Sequence, residues 1–332
     1  MGDLRLAGIL ILGLSANPPA MLGQEAERAG LPKALARATH VARGPVDAEM
    51  RNVDYHVDQR VVLRIGYLRG SLRPTSDAPP WFDDPKSFTL VIDTGSVDIS
   101  TSSLTALLND YVFGYKGSPL KRLEVTIEKG QLKQKGLLHK GLDLPFTILA
   151  DLSATDDGRL RLHPTSVKVL GISVKGLMRR FGIELDNLVK VQQGRGVEIA
   201  GDDFLLAPAG LLPPPRIEGR IAAVSLGPDE IRQVFGSSGK ERRRLLHPSD
   251  PKADNYMFYR GSILRFGKLT MADADLQIVD ADPKDAFDFS LAHLNEQLVA
   301  GESHNQPDFG LVTRMPDYDD LRKRVAPQGK GD

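Results

Sequence analysis

Apolar residues recur at two spacings along this 332-residue chain, and the change from one to the other marks its elements. Val61–Leu68 (VVLRIGYL) predicts a strand. Phe88–Asp93 (FTLVID) predicts a second, after a Pro/Asp/Ser loop over Arg69–Lys86. Behind the hydroxyl run Ser100–Ser102, residues Leu104, Leu107, Leu108, Tyr111 and Val112 repeat at helical spacing as far as Gly114. From Leu123 to Val174 the pattern alternates, broken by turn signals at Glu128-Lys129-Gly130, His139-Lys140-Gly141 and Asp156-Asp157-Gly158. Asp-Gly favours the type I′ turn between twisted strands, so this stretch predicts an antiparallel meander rather than βαβ units.

Beyond it, Lys175–Leu188 has an amphipathic helical pattern with Leu177, Phe181 and Leu188 inward, weakened by Gly182. Val197–Leu206 predicts a hairpin, and Pro213–Pro215 a stiff extended segment leading into a strand over Arg216–Leu226. Pro228–Phe235 has the start signal and apolar spacing of a short third helix, with Ile231, Val234 and Phe235 apolar. Tyr256–Asp280 predicts two further strands, and Phe287–Val299 a short helix or a closing strand. These elements give an α+β protein: a long curved antiparallel sheet packed on a few amphipathic helices. The expected organisation is a signal peptide over 1–23 and a linker over 24–58. A single β-rich domain follows over 59–300, with a polar insert at 237–254 and a flexible tail at 301–332.

The N-terminus is the strongest clue to location. Leu6–Leu14 (LAGILILGL) is a short apolar run behind Arg5, followed by Ser15-Ala16-Asn17-Pro18-Pro19-Ala20. That order suits a secretory signal, so a periplasmic or secreted protein is expected; the run itself spans about 14 Å as a helix, half a bilayer core. Lys+Arg and Asp+Glu both total 43, and this neutral balance with only 6% aromatics argues against a nucleic-acid partner. The absence of cysteine removes thiolate metal sites and cysteine nucleophiles. None of the seven histidines lies three to five residues from another, so no metal or other cofactor is expected. The basic run Lys240–Arg244 fits a solvated loop or a peripheral contact with anionic lipid.

One motif tempts. Leu90–Ser96 (LVIDTGS) has the letters of an aspartic protease, with Val169-Leu170-Gly171 downstream. That chemistry needs two carboxylates sharing one proton, and the chain has a single such motif. A hydrolase using Asp93 is therefore the lesser reading. The plainer one ends a strand at Asp93, turns the chain at Gly95 and caps a helix with Ser and Thr. Asp273-Ala274-Asp275 and Asp280-Ala281-Asp282 place four carboxylates together but lack the glycine and terminal glutamate of an EF-hand, and read as strand-end and turn residues.

The helix with Leu104, Leu107 and Leu108, the strands LEVTIEKGQLKQKG (Leu123–Gly136) and DGRLRLHPTSVKVLGISV (Asp157–Val174), and the helix after them resemble LmeA-like phospholipid-binding proteins, relatives of the tubular lipid-binding (TULIP) domains. FGKLTMADADLQIVDAD (Phe266–Asp282) is similar to strand repeats of AsmA-like envelope proteins. The resemblance implies a TULIP-like fold and an apolar groove between sheet and helices, binding a lipid or other apolar small molecule without catalysis. The groove residues expected are Leu107, Leu108, Leu177, Phe181, Ile231 and Phe235; the alternative is that all six fill a dry core, in an envelope scaffold.

Overall fold

A computed structural model describes residues 44–139, 141–173, 196–236, 246–307 and 310–325. The described chain is mostly β, with a large mixed sheet, a separate antiparallel sheet and a few short helices. In order, the strands are β1 (Val46–His56), β2 (Val62–Pro74), β3 (Phe88–Ser100), β4 (Leu120–Glu128), β5 (Gln131–His139), β6 (Asp143–Ala154) and β7 (Leu160–Val169). They continue with β8 (Ile172–Ser173), β9 (Val197–Ala200), β10 (Asp203–Leu206), β11 (Arg216–Gly219), β12 (Ile221–Leu226), β13 (Glu230–Phe235) and β14 (Tyr256–Arg260). The last are β15 (Ile263–Phe266), β16 (Leu269–Ala272), β17 (Asp275–Asp280), β18 (Phe287–Ser290), β19 (Glu302–Asn305) and β20 (Leu311–Met315). The helices are α1 (Thr101–Leu107), the single turn α2 (Pro208–Leu211), α3 (Leu294–Ala300) and α4 (Tyr318–Val325).

The large sheet runs β12-β13-β3-β2-β1-β14-β17-β20-β19. It is mixed rather than antiparallel throughout, because β11 joins β3, β18 joins β1 and β20 joins β17 in parallel. One edge of β3 is shared lengthwise: β11 takes Thr89–Ile92 and β13 takes Gly95–Ser100. One edge of β1 is divided the same way between β14 and β18.

The inward positions of the three central strands form rows. Val46, Leu72 and Leu90 face one another, then Ala48, Gly70 and Ile92, then Met50, Leu68 and Gly95. Around that level every strand changes parity by one, β3 just before it and β1 and β2 just after, and the rows resume as Val53, Ile65, Val97 and Tyr55, Leu63, Ile99. Asn52, at φ 50°, and register shifts between β2 and β3 make the change. An extra residue in each strand keeps apolar side chains on one face while the sheet bends. Met50, Leu68 and Leu72 are almost fully buried as a result. The opposite face carries charge: Asp54, Arg64, Asp98 and Arg232 are successive cross-strand partners and alternate in sign. Arg64 chelates Asp54 and Arg232 chelates Asp98 at 2.6–2.8 Å.

The second sheet, β4-β5-β6-β7-β10-β9 with β8 on β7, is the meander that alternation predicts. Gly158 turns β6 into β7 at φ 87°, and the β9–β10 hairpin forms as expected. This sheet meets the large one where Ile221 N–H donates to the Gly158 carbonyl at 2.9 Å. Ser100 Oγ accepts from the Ser103 N–H at 3.0 Å and starts α1, whose final residues widen into a π-turn over Leu108–Val112. Asn109 then binds both backbone groups of Leu123 at 2.8 and 2.9 Å, fastening that turn to β4.

Several expectations need correction. Pro228–Phe235 is not a helix: Glu230–Phe235 is β13, paired on both sides. Ile231 and Phe235 stand four apart, which fits one helical turn and two strand steps equally, and the open edge of β3 decides. Regular structure starts before residue 59, since β1 begins at Val46 inside the stretch read as linker. The strand begun at Phe88 does not end at Asp93 but continues to Ser100. Tyr256–Asp280 holds four strands rather than two, and Phe287–Val299 contributes a strand and then a helix. Beyond Gly301, in the stretch expected to be a flexible tail, β19, β20 and α4 close the large sheet. The expected helix over Lys175–Leu188 lies outside the described residues.

Candidate functional site

The bend in the three central strands leaves room on their apolar face. α2 and the proline segment after it cross that face, and Ile217 of β11 pins their end to the sheet beside β3. Between the cover and the sheet lies a narrow, solvent-connected cavity of about 50 Å³. Its floor is Tyr55, Leu63, Ile65, Leu68, Leu90, Ile92 and Val97, the rows on either side of the parity change. Its cover is Pro208, Leu212, Pro215 and Ile217, and Phe235 closes one side. Gln233 and Tyr55 are the lining residues whose side chains carry a polar group. Burial raises the Tyr55 pKa well above the ordinary range, so the phenol stays neutral and can donate or accept a hydrogen bond. A pocket with so few polar groups selects by shape and greasiness, not by charge.

Glycines shape the same wall. A Cβ on Gly219 would lie 2.8 Å from the Phe235 ring, so the glycine leaves space for that ring. A Cβ on Gly95 would lie 2.7 Å from the Tyr67 carbonyl oxygen. The glycine of the Asp-Thr-Gly-Ser motif therefore serves close strand packing. Asp93 sits half-buried at the register shift inside β3, not in a turn, because the strand runs straight through the motif.

Of the six residues expected to line a groove, Phe235 does so. Ile231, on the same strand, is buried in the core, as is Leu107, and Leu108 is half-buried against it. Leu177 and Phe181 lie outside the described residues. The residues that sequence reasoning missed are those of β1, β2 and β3 and of the cover. Alternation in VVLRIGYL marks Leu63 and Ile65 as one face, whereas Tyr55 lay hidden in the stretch taken for a linker.

A second constellation gathers at the C-terminal side of the large sheet. Asp280, Asp285 and Asp317 bring carboxylate oxygens within 4.8 Å of one another, and His56, Asp288 and Asp319 form a neighbouring group. Asn255 bridges the first group, donating to Asp280 Oδ2 at 3.0 Å and to the Asp285 carbonyl, and itself accepts from Asn52 at 2.6 Å. Asp317 Oδ1 accepts from the Asp288 N–H at 2.8 Å, and Asp288 Oδ2 from the Asp319 N–H at 2.9 Å. Burial, reinforced by the charges of Asp280, Asp285 and Asp288, pushes Asp317 up to about 7. Burial and neighbouring Asp282 and Asp285 also raise Asp280, against the hydrogen bonds from Asn255 and the Asp282 N–H.

Burial works against a charge on His56, but its bond to Asp288, the charges of Asp288 and Asp319, and the Asp58 carbonyl together raise its pKa. His56 thus forms an ion pair with Asp288, under the edge of Tyr318, on which His293 stacks at 4.7 Å. The oxygen-only trio is of the kind that suits a hard cation. With its pKa pushed up to about 7, Asp317 can relieve the mutual repulsion by taking up a proton below neutral pH.

Among the described residues no helix is long and apolar enough to cross a membrane. No protein-family model matches the chain, and comparison with curated proteins and with solved structures gave no significant match.

Proposed function

We propose that this protein binds an apolar ligand, a lipid chain or a molecule like one, in the cleft between the central strands and the proline-rich cover, and that it does so without catalysis. The observation carrying this reading is a gap on the apolar face of the large sheet whose wall offers two polar groups and no charged one. Apolar burial is non-directional and gains about 0.8 kcal/mol per methylene, so such a wall holds an alkyl chain without needing a matched partner for each atom. A 50 Å³ cavity takes one or two water-sized groups at about 30 Å³ each, so a chain enters only as the cover lifts from the sheet. The cover is suited to that movement, since α2 is a single turn with no side-chain cap.

A TULIP-like arrangement, in which curved sheets enclose lipid, and export to the periplasm or beyond belong to the same reading. They rest on the resemblance of the strand pattern and on the apolar N-terminal run. A second reading, a non-enzymatic scaffold of the envelope with a filled core, draws on the close burial of Leu107 and Ile231 and on the narrowness of the cavity.

Native mass spectrometry of the purified protein and titration with a fluorescent fatty-acid probe separate the two. Ligand binding predicts co-purified lipid or saturable probe uptake. It also predicts that Leu212→Trp, which fills the mouth from a half-buried position, lowers uptake at least about tenfold. A folded protein that carries no lipid and takes up no probe leaves the scaffold reading standing.

A further inference from the structure

We infer that the end of the seven-stranded sheet carrying the β5–β6 loop and the β7–β8 turn docks on an anionic phospholipid bilayer. Six large apolar side chains stay exposed among the described residues, and three are gathered here: Leu142 at 72%, Leu170 at 61% and Ile172 at 68%. The two loops lie side by side, for Phe146 pairs with Val169 and the Leu170 N–H donates to the Pro145 carbonyl at 2.9 Å. Packing does not account for these side chains, and exposed apolar groups collected at one tip mark a contact surface.

Turn chemistry does not account for them either. Val169 pairs with Ile172, leaving a two-residue turn in which Leu170 has φ 52° and Gly171 φ 78°. This is the left-handed geometry that asparagine, aspartate or glycine normally fills and that a leucine enters only with strain. The equivalent β4–β5 turn puts Lys129 and Gly130 at φ 53° and 76°. Of the six non-glycine residues at positive φ among the described residues, Leu170 is the apolar one; the others are Asn52, Arg122, Lys129, Ser262 and Asp273. Where a local rule is broken without gain to the fold, function is the expected cause.

Charge selects the partner. Lys121 and Lys168 are exposed on strands bordering the tip, and Lys116 is exposed in the turn before Pro119, whose carbonyl accepts from the His139 N–H at 2.8 Å. Against these three lysines stands Asp143, already held by His139 at 2.6 Å and Lys121 at 3.7 Å. Leucine and isoleucine projecting beyond a lysine collar match the layering of a membrane interface. Hydrocarbon takes the tips and anionic headgroups the collar. No residue of the cleft takes part, so vesicle binding and acyl uptake are separate readouts and either can fail alone.

The test is co-sedimentation of the full chain with vesicles of phosphatidylcholine alone and of about 3:1 phosphatidylcholine to phosphatidylglycerol. The wild type should bind the anionic vesicles, and added salt should weaken binding. The triple variant Leu142→Ser, Leu170→Asn, Ile172→Thr should bind at least about tenfold more weakly. Its melting temperature should hold or rise, since asparagine suits the turn. Lys121→Gln with Lys168→Gln should lower binding to anionic vesicles and leave the weaker binding to neutral ones unchanged. Failure of the wild type to bind either vesicle would overturn the inference, as would a triple variant that binds like the wild type. So would a wild-type dimer that the triple variant disperses in sedimentation velocity, which would make a second copy the occupant.

Discussion

Replacing Asp317 by asparagine should stabilise the protein clearly more at pH 8 than at pH 5. Asparagine keeps the oxygen that accepts from the Asp288 N–H and removes the charge that faces Asp280, Asp285 and Asp288. Folding lifts the Asp317 pKa from an ordinary 3.8 to about 7. An acid raised in this way adds stability below about pH 4, and that contribution is lost as pH climbs through about 7. At 1.36 kcal/mol per pKa unit the full shift would cost the ionised form about 4 kcal/mol. Asp317 is only half-buried, however, and solvent screening reduces this to about 2 kcal/mol. Because Asp280 and His56 are also raised, both proteins should lose stability from pH 5 to pH 8, the wild type more steeply because it alone carries the Asp317 carboxyl. For a unit of this size 2 kcal/mol corresponds to about 4 °C in melting temperature. Thermal scans of both proteins at the two pH values, monitored by circular dichroism, read the difference directly. A variant that melts below the wild type at pH 8, or by the same interval at both pH values, would refute the account of the acidic cluster.

Two further outcomes test the packing of the large sheet. Gly95→Ala should cost about 3 kcal/mol in chemical denaturation, because the new methyl meets the Tyr67 carbonyl oxygen on a backbone that cannot retreat; an unchanged midpoint would show that the rows are looser than described. Glu49 is buried and accepts from Arg69 at 2.6 Å and from the Tyr256 hydroxyl at 2.8 Å. Glu49→Ala should therefore cost about 3 kcal/mol by stranding the guanidinium, whereas Glu49→Leu with Arg69→Met should recover most of that loss.

How much of this was legible in the sequence depended on the range of the contacts. The β4–β7 meander showed itself because alternation and the Asp-Gly turn are local signals. Ile231 and Phe235 misled because a separation of four satisfies both helix and strand. β1 carries a clean alternation from Val46 to Met50, but Asn52 shifts it by one, and the Ala-, Arg- and Glu-rich residues before it mask the start. The cleft could not be assembled from spacing, since its floor comes from β1, β2 and β3 and its cover from residues over a hundred positions later. The acidic cluster had the same difficulty: Asp280 drew notice beside Asp282, whereas Asn52, Asn255 and Asp317 reach it from distant elements.

The divided edge of β1 also governs the order in which the molecule can be completed. Its first half waits for Tyr256–Arg260 and its second for Phe287–Ser290, so this edge of a central strand stays unpaired until about two hundred further residues have been made, although β2 covers the other edge at once. Until then its backbone donors and acceptors face outward, a template for any extended peptide nearby. Such long-range pairing makes folding slow, leaving that edge in need of protection until its partners emerge.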